Sequence, residues 1–276
     1  MREPDVNHAV LLPSVALRPF VKRFEMTQSL VNRTHTLLPD TSLIASFRLG
    51  GVAQIGVVDG TDGVKVVEGD STLPVAALSG LQHRARMVTH MAGSHVLLMV
   101  FTEAGAAAFL REPLDLLFNQ TMPMEFLMRS GRLNELCETL AEAGDFGRGT
   151  ELLERVLLRR LRAEKHDPSP DPVAVAAAAH IQKRHGAVRM EKLAGAMGLS
   201  LSALERRFRR HVGTSPRRFA SIVRMRHLLR LRKAGGNLTE LAHQAGYFDQ
   251  SHFIHDFRRF TGSAPESFFR GTASFC

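Results

Sequence analysis

The residues best suited to chemistry sit late in the chain, in GYFDQSHFIHDFRRF, Gly246 to Phe260. His252 and His255 are three apart and Asp256 follows. On a helix, that spacing brings two imidazoles to neighbouring positions, where they could share a metal ion. A closed zinc site wants four ligands, and no third and fourth are evident. His83, His90 and His95 cluster in the first half, with nothing like HExxH beside them. The only cysteines, Cys137 and Cys276, have no metal-type spacing. The chain shows no GxSxG, no glycine-rich phosphate loop and no Cys–His pairing signature. The expectation is a protein without catalytic residues, metal or cofactor, and not an enzyme. A histidine-dependent metal-binding protein stays as a remote alternative. The favoured reading is a surface that recognises another molecule.

Such a surface needs a helix to hold it. Phe253 and Phe257 are four apart and give this one a buried stripe. The same device occurs earlier in the chain. Leu193, Ala194 and Gly198 match Leu241, Ala242 and Gly246 at an offset of 48. After one inserted residue, Leu204, Phe208, Arg209, Arg210, Gly213, Pro216 and Phe219 match Phe253, Phe257, Arg258, Arg259, Gly262, Pro265 and Phe268 at an offset of 49. Each copy reads helix, tight turn, helix. Gly198 and Gly246 fall where the turn wants positive φ. Ser200 and Asp249 suit the N-cap of the second helix, and NLTE from Asn237 resembles a capping box.

The face opposite the stripe carries Leu201, Ser202, Glu205 and Arg206 in the first copy. Gln250, Ser251, Ile254 and His255 take those places in the second. A helix-turn-helix presents such positions to base edges in the major groove. Arg reads guanine bidentately, Gln reads adenine, and Ser adapts. The base-reading set is therefore Leu201, Ser202, Glu205, Arg206, Gln250, Ser251 and His255. Arg209, Arg210, Arg258 and Arg259 suit phosphates. Between the copies, Pro216 to about Lys233 reads as one helix. Its 18 residues make a rod of roughly 27 Å, which can set two reading helices about one DNA turn apart.

Charge agrees. Residues 171–276 hold 18 Lys+Arg against 7 Asp+Glu, a balance of +11. Residues 1–170 hold 18 against 20, a balance of −2, and together they return the net +9. The excess sits in the segment with the repeat and suggests an anionic partner for that segment. The connecting helix, with Arg224, Arg226, Arg230, Arg232 and Lys233, could lie on an anionic membrane. That reading leaves the repeated turns and caps unexplained. No apolar run reaches membrane-spanning length and no cationic apolar leader opens the chain, so a reduced cytoplasm is expected.

Residues 175–270 resemble the DNA-binding domain of the AraC/XylS family of bacterial transcription regulators. LAGAMGLSLSALERRFRRHVGTSP, Arg224 and AGYFDQSHFIHDFRRFTGSAP carry the resemblance. It implies a seven-helix, double helix-turn-helix fold and adds Arg224 to the phosphate set. The family commonly places a basic or long polar reader where this chain has Ile254 and His255. The partner it implies is double-stranded promoter DNA, with a small-molecule effector, RNA polymerase and a homodimer left open.

The three prolines of HDPSPDPV, at positions 168, 170 and 172, mark a linker that coincides with the charge shift. The expected domains are 1–165 for regulation or oligomerisation, a linker at 166–173, and DNA binding at 174–276. The fold class is α+β, with a β-rich, cupin-like or related first domain carrying helices and an all-α second. SLIASFRLG, Val52–Val58, Val64–Val67 and HVLLMVF read as strands, with DGTDG as a hairpin-like turn. AGAAAFLREPLDLLF, RLNELCETLAEAG and TELLERVLLRRLRAEK read as helices, the last capped by Thr150. LRPFVKRFEM, LLPDTSLIASFRLG and FTEAGAAAFL loosely resemble the regulatory domain of a subgroup of the family. Phe47, Phe101 and TMPMEFLM could line an effector pocket or be plain core, and effector-binding residues stay unknown. A first domain that only oligomerises or binds a protein partner is the alternative.

Overall fold

The computed structural model describes residues 6–57, 72–110, 112–126, 130–163, 169–233, 237–247 and 249–270. The DGTDG turn, the strand at Val64–Val67 and residues 164–168 of the proline-rich stretch lie outside them.

Among its described residues, the first half has nine strands. They are β1 (Val6–Leu11), β2 (Val21–Ser29), β3 (Arg33–Leu37), β4 (Ile44–Gly50), β5 (Ala53–Val57), β6 (Ala76–Ser79), β7 (Arg86–His90), β8 (His95–Phe101) and β9 (Thr121–Pro123). One sheet runs β1-β2-β8-β4-β6-β9 and the other β3-β7-β5, with every pairing antiparallel. The expected strands at SLIASFRLG, Val52–Val58 and HVLLMVF are β4, β5 and β8.

Period-two alternation gives the larger sheet two distinct faces. Ala45 and Phe47 of β4, with Leu97, Met99 and Phe101 of β8, enter the buried core. Leu133, Leu136 and Leu140 of helix α1 (Ser130–Glu142) and Leu153 and Leu157 of α2 (Phe146–Ala163) belong to the same core. The other face, with Ile44, Ser46, Val96, Leu98 and Val100, looks onto a cavity shared with the smaller sheet. Phe47 and Phe101 are core residues and are absent from the cavity wall. The described part of TMPMEFLM is also absent from it.

Two expected helices differ here. AGAAAFLREPLDLLF forms two short 3-10 turns, Gly105–Ala108 and Leu114–Leu117. Pro113 removes a donor and fixes the chain just before the second turn. Gly105 is pressed against the neighbouring backbone, where an added Cβ would stand 2.1 Å from the Phe20 carbonyl oxygen. The last helix of this half begins at Phe146, four residues before Thr150. Asp145 provides the start, its carboxylate accepting from the Arg148 amide at 3.0 Å. Thr150 is buried inside the helix.

From Pro172 to Arg270 the described residues form seven helices, as expected. They are α3 (Pro172–Lys183), α4 (Met190–Ala196), α5 (Leu201–Val212), α6 (Pro216–Lys233), α7 (Leu238–Gln244), α8 (Gln250–Thr261) and α9 (Pro265–Arg270). Asp171, late in the proline-rich stretch, caps α3 by accepting from the Ala174 amide at 2.8 Å. The fold is thus α+β, a β-rich half with helices followed by an all-α half.

The halves pack together. The end of α5 reaches the 3-10 turn at Leu114–Leu117, with Gly213 against Leu114 and Leu81. Arg218 lies over the Phe118 ring, 5.0 Å from its centroid. Glu103 accepts from both Lys22 of β2 and Gln182 of α3.

Candidate nucleic-acid interface

The two repeat units are α4–α5 and α7–α8. Gly198 and Gly246 stand at φ 67° and 81°, with open space where a Cβ would go. Backbone conformation, and not crowding, explains glycine at both turns. Ser200 caps α5, accepting from the Ala203 amide at 3.3 Å. Asp249 caps α8, accepting from the His252 amide at 2.7 Å. Asn237 receives the Glu240 amide at 3.5 Å, and Ser215 receives that of Arg218 at 3.3 Å, one at the start of α7 and one at the start of α6.

Leu204 and Phe208 are fully buried on α5, and Phe253 and Phe257 are buried on α8. Phe208 meets Phe219 edge-on at 5.4 Å, and Phe257 meets Phe268 likewise at 5.4 Å. These pairs match through the repeat, so both units lock their second helix the same way.

Burying that stripe turns the opposite face outward. Ser202 and Arg206 are exposed on α5, with Leu201 and Glu205 half-buried beside them. Gln250, Ser251 and His255 are exposed on α8. Arg209, Arg210, Arg258 and Arg259 are exposed near the ends of the same helices. Two of them are tethered within their own helix, Arg209 to Glu205 at 3.5 Å and Arg259 to Asp256 at 2.8 Å. Asp256 also has His252 at 3.8 Å and His255 at 4.0 Å. Among the described residues, no group of three His, Cys, Asp or Glu is placed to hold a metal ion.

Arg224 has a different setting. It is half-buried, donating to the Gly186 carbonyl at 3.1 Å and lying 5.6 Å from the Tyr247 ring centroid. One side chain of α6 thereby joins the loop after α3 to the turn of the second unit.

A cavity of about 540 Å³ lies between the sheets. Its walls are largely apolar, with Arg86, His35 and His90 contributed by the smaller sheet. His35 and His90 stack at 5.4 Å. Burial, then the neighbouring His90 and Arg33, pulls the pKa of His35 down to about 4. Burial also lowers that of His90, and it brings Arg86 down to about 10. Arg226 of α6 belongs to the wall too, bonded to the Pro39 carbonyl at 3.2 Å. The one available signal was that β8 is apolar on both faces, as a strand buried on both sides must be.

Residues 193–271 match the family model described as a helix-turn-helix domain, which spans both units. The HTH-type transcriptional activator RhaS of Escherichia fergusonii is 35% identical over 88 residues, 31% of each chain. The RhaS of Pectobacterium carotovorum subsp. carotovorum is 32% identical over 81 residues, 29% of each. The chain thus spans about a third of the length of the curated relatives it matches. Among solved structures, ToxT from Vibrio cholerae O395 overlays with a TM-score of 0.44 at 11% identity, covering 96% of this chain and 97% of that one. Overlays at that level leave the N-terminal half to be read from its own geometry. The C-terminal domain is a double helix-turn-helix domain.

Proposed function

We propose that the chain is a sequence-specific DNA-binding transcription regulator, controlled by an N-terminal domain that senses a small molecule. One observation carries the reading: two capped helix-turn-helix units each bury an aromatic-rich stripe and leave a polar second-helix face exposed on a segment of charge +11. Neither a metal site nor a membrane surface calls for that duplication. The base-reading residues are Leu201, Ser202, Glu205 and Arg206 on α5, with Gln250, Ser251 and His255 on α8. Arg209, Arg210, Arg258 and Arg259 take phosphates. The resemblance adds Arg224 to the phosphate set, and its contacts with Gly186 and Tyr247 support a bracing role beside it.

The working units are a sensing domain over 1–165, a linker at 166–173 and a DNA-binding domain over 174–276. The protein works in the cytoplasm and is not an enzyme. Among the described residues, no helix is long and apolar enough to cross a membrane. RNA polymerase and a second copy of the chain are further partners of this reading. Exposed Leu12 and Val15 favour a second role for the first domain in docking a protein.

The test is binding of the full chain to randomised duplex DNA with selection for bound sequences. Enrichment of a site with two elements about one turn apart, and affinity falling steeply with salt, are expected. A folded chain that enriches no sequence at low salt would sink the reading.

A further inference from the structure

We propose that the β-rich half itself touches DNA through the loop at residues 81–84, with Arg84 set on a backbone phosphate alongside the two helix-turn-helix units. The proposal rests on the DNA-binding reading above and carries its surface across the boundary between the halves.

The loop follows β6 and is pinned to the chain at residues 118–120. The Asn119 amide donates to the Leu81 carbonyl at 2.9 Å, and the Gly80 amide to the Gln120 carbonyl at 3.0 Å. The His83 amide donates to Asn119 Oδ1 at 3.0 Å, and His83 Nδ1 lies 2.7 Å from the same oxygen. Arg84 stands exposed at the end of this ledge. Three elements of the second half meet there. Gly213, which ends α5, lies against Leu81. The Phe118 ring carries His83 stacked at 5.6 Å and Arg218, from the first turn of α6, at 5.0 Å. Arg259 ends the row Ser251, His255, Arg259, whose steps of four keep it on one face of α8. Burial lowers the pKa of His83 and the Asn119 bond opposes the fall, while Arg84, Arg259 and Arg218 add to it, so all three cations lie within electrostatic reach of that ring.

The charge of this corner runs against that of its own half. Residues 1–170 carry a balance of −2, yet residues 71–102 contain no Asp or Glu. Arg259 is tethered to Asp256 at 2.8 Å. Arg84 and Arg218 are exposed and, among the described residues, have no ion pair. Like charges gathered without counter-charges raise the local potential and attract an anion. Here they are spread over a loop of the first half, the start of α6 and the end of α8, which suits a polyanion better than one small anion. A duplex lying along α5 and α8 offers a phosphate about every 3.4 Å on each strand. An exposed cation bordering that surface therefore finds backbone within reach, and the pinned loop holds Arg84 there without further ordering.

The experiment measures affinity of the full chain for a random-sequence duplex across a salt series. Arg84→Ala should make the slope of log affinity against log salt shallower by about 1, the mark of one lost phosphate contact. Arg84→Ala with Arg218→Ala should make it shallower by about 2. Arg84→Lys should keep most of the parent slope, because a phosphate accepts a point charge. Arg155→Ala removes an exposed cation from α2 and should leave the slope at the parent value. Melting curves establish that each variant is folded, and should Arg84→Ala not fold, Arg84→Gln takes its place. A parent slope in the folded Arg84→Ala chain overturns the contact while leaving the DNA-binding reading intact. An equal change in Arg155→Ala would mean that net charge alone is at work, and overturns it too. Affinity for phosphatidylserine vesicles that falls with Arg84→Ala while the DNA slope stays would assign the loop to a membrane surface instead. A folded parent without affinity for the duplex at low salt removes the DNA-binding reading and the proposal with it.

Discussion

The guanidinium of Arg226 lies 3.5 Å from the carboxylate of Asp40, joining the helix between the two helix-turn-helix units to the rim of the sheet cavity. Arg226 belongs to α6 and Asp40 to the loop between β3 and β4. Both are partly exposed, so the pair should contribute less than about 1 kcal/mol to stability. Its value would lie in position, since α6 also sets the spacing of α5 and α8. Arg226→Ala and Asp40→Ala should each shift the DNA affinity of the full chain by less than about tenfold and in the same direction, and the double variant should match either single one. Affinity measurements on the four chains form the cycle. Additive shifts would show that the two residues act separately.

Phe257 anchors the second unit. It is fully buried, with Phe253 at 5.5 Å and Phe268 at 5.4 Å between ring centroids. Phe257→Ala should destabilise the chain by roughly 3–5 kcal/mol, the usual range for truncating a buried aromatic. Urea denaturation measures it. A variant as stable as the parent that had nonetheless lost DNA would mean that the buried and reading faces had been exchanged.

The second half was legible because its information is local and given twice. Gly198 and Gly246, Ser200 and Asp249, Phe208 and Phe257 each act within one turn and its neighbouring helices, so spacing alone located them. The first half hides its organisation in long-range pairing. Ile44 meets Val100 and Ser79 only through strand register, and the cavity exists only once that register is known. Ala-rich 104–118 misled because helix propensity gave way to Pro113 and to the close approach at Gly105.

Acid should weaken the first domain through His35. Its folded pKa is about 4, against an ordinary histidine value of 6.5. Between those values the unfolded chain binds a proton that the folded chain does not. Stability is therefore full above about pH 6.5, falls as pH drops through the window, and levels off below about pH 4. His90, stacked on His35 and also lowered, contributes in the same direction. His35→Gln should flatten the loss. Denaturation midpoints of parent and variant at about pH 7, 5.5 and 4.5 provide the comparison, and parallel curves would exclude His35 as the source.

The two reading helices should not contribute equally. Arg206 of α5 and His255 of α8 occupy equivalent places at an offset of 49, and both are exposed. Arg206 is permanently charged and can fork onto guanine O6 and N7. His255 is shorter and offers a single bond to a base or phosphate. Arg206→Ala should cost about 1–3 kcal/mol of binding and relax sequence preference in one half-site only. His255→Ala should cost less. His252 and Asp256 stand beside it, and Asp256 is held by Arg259 at 2.8 Å. A base-substitution binding scan of both variants at about pH 7.5 separates the contributions. Equal losses spread over both half-sites would contradict the assignment and place His255 in a structural role on its own helix.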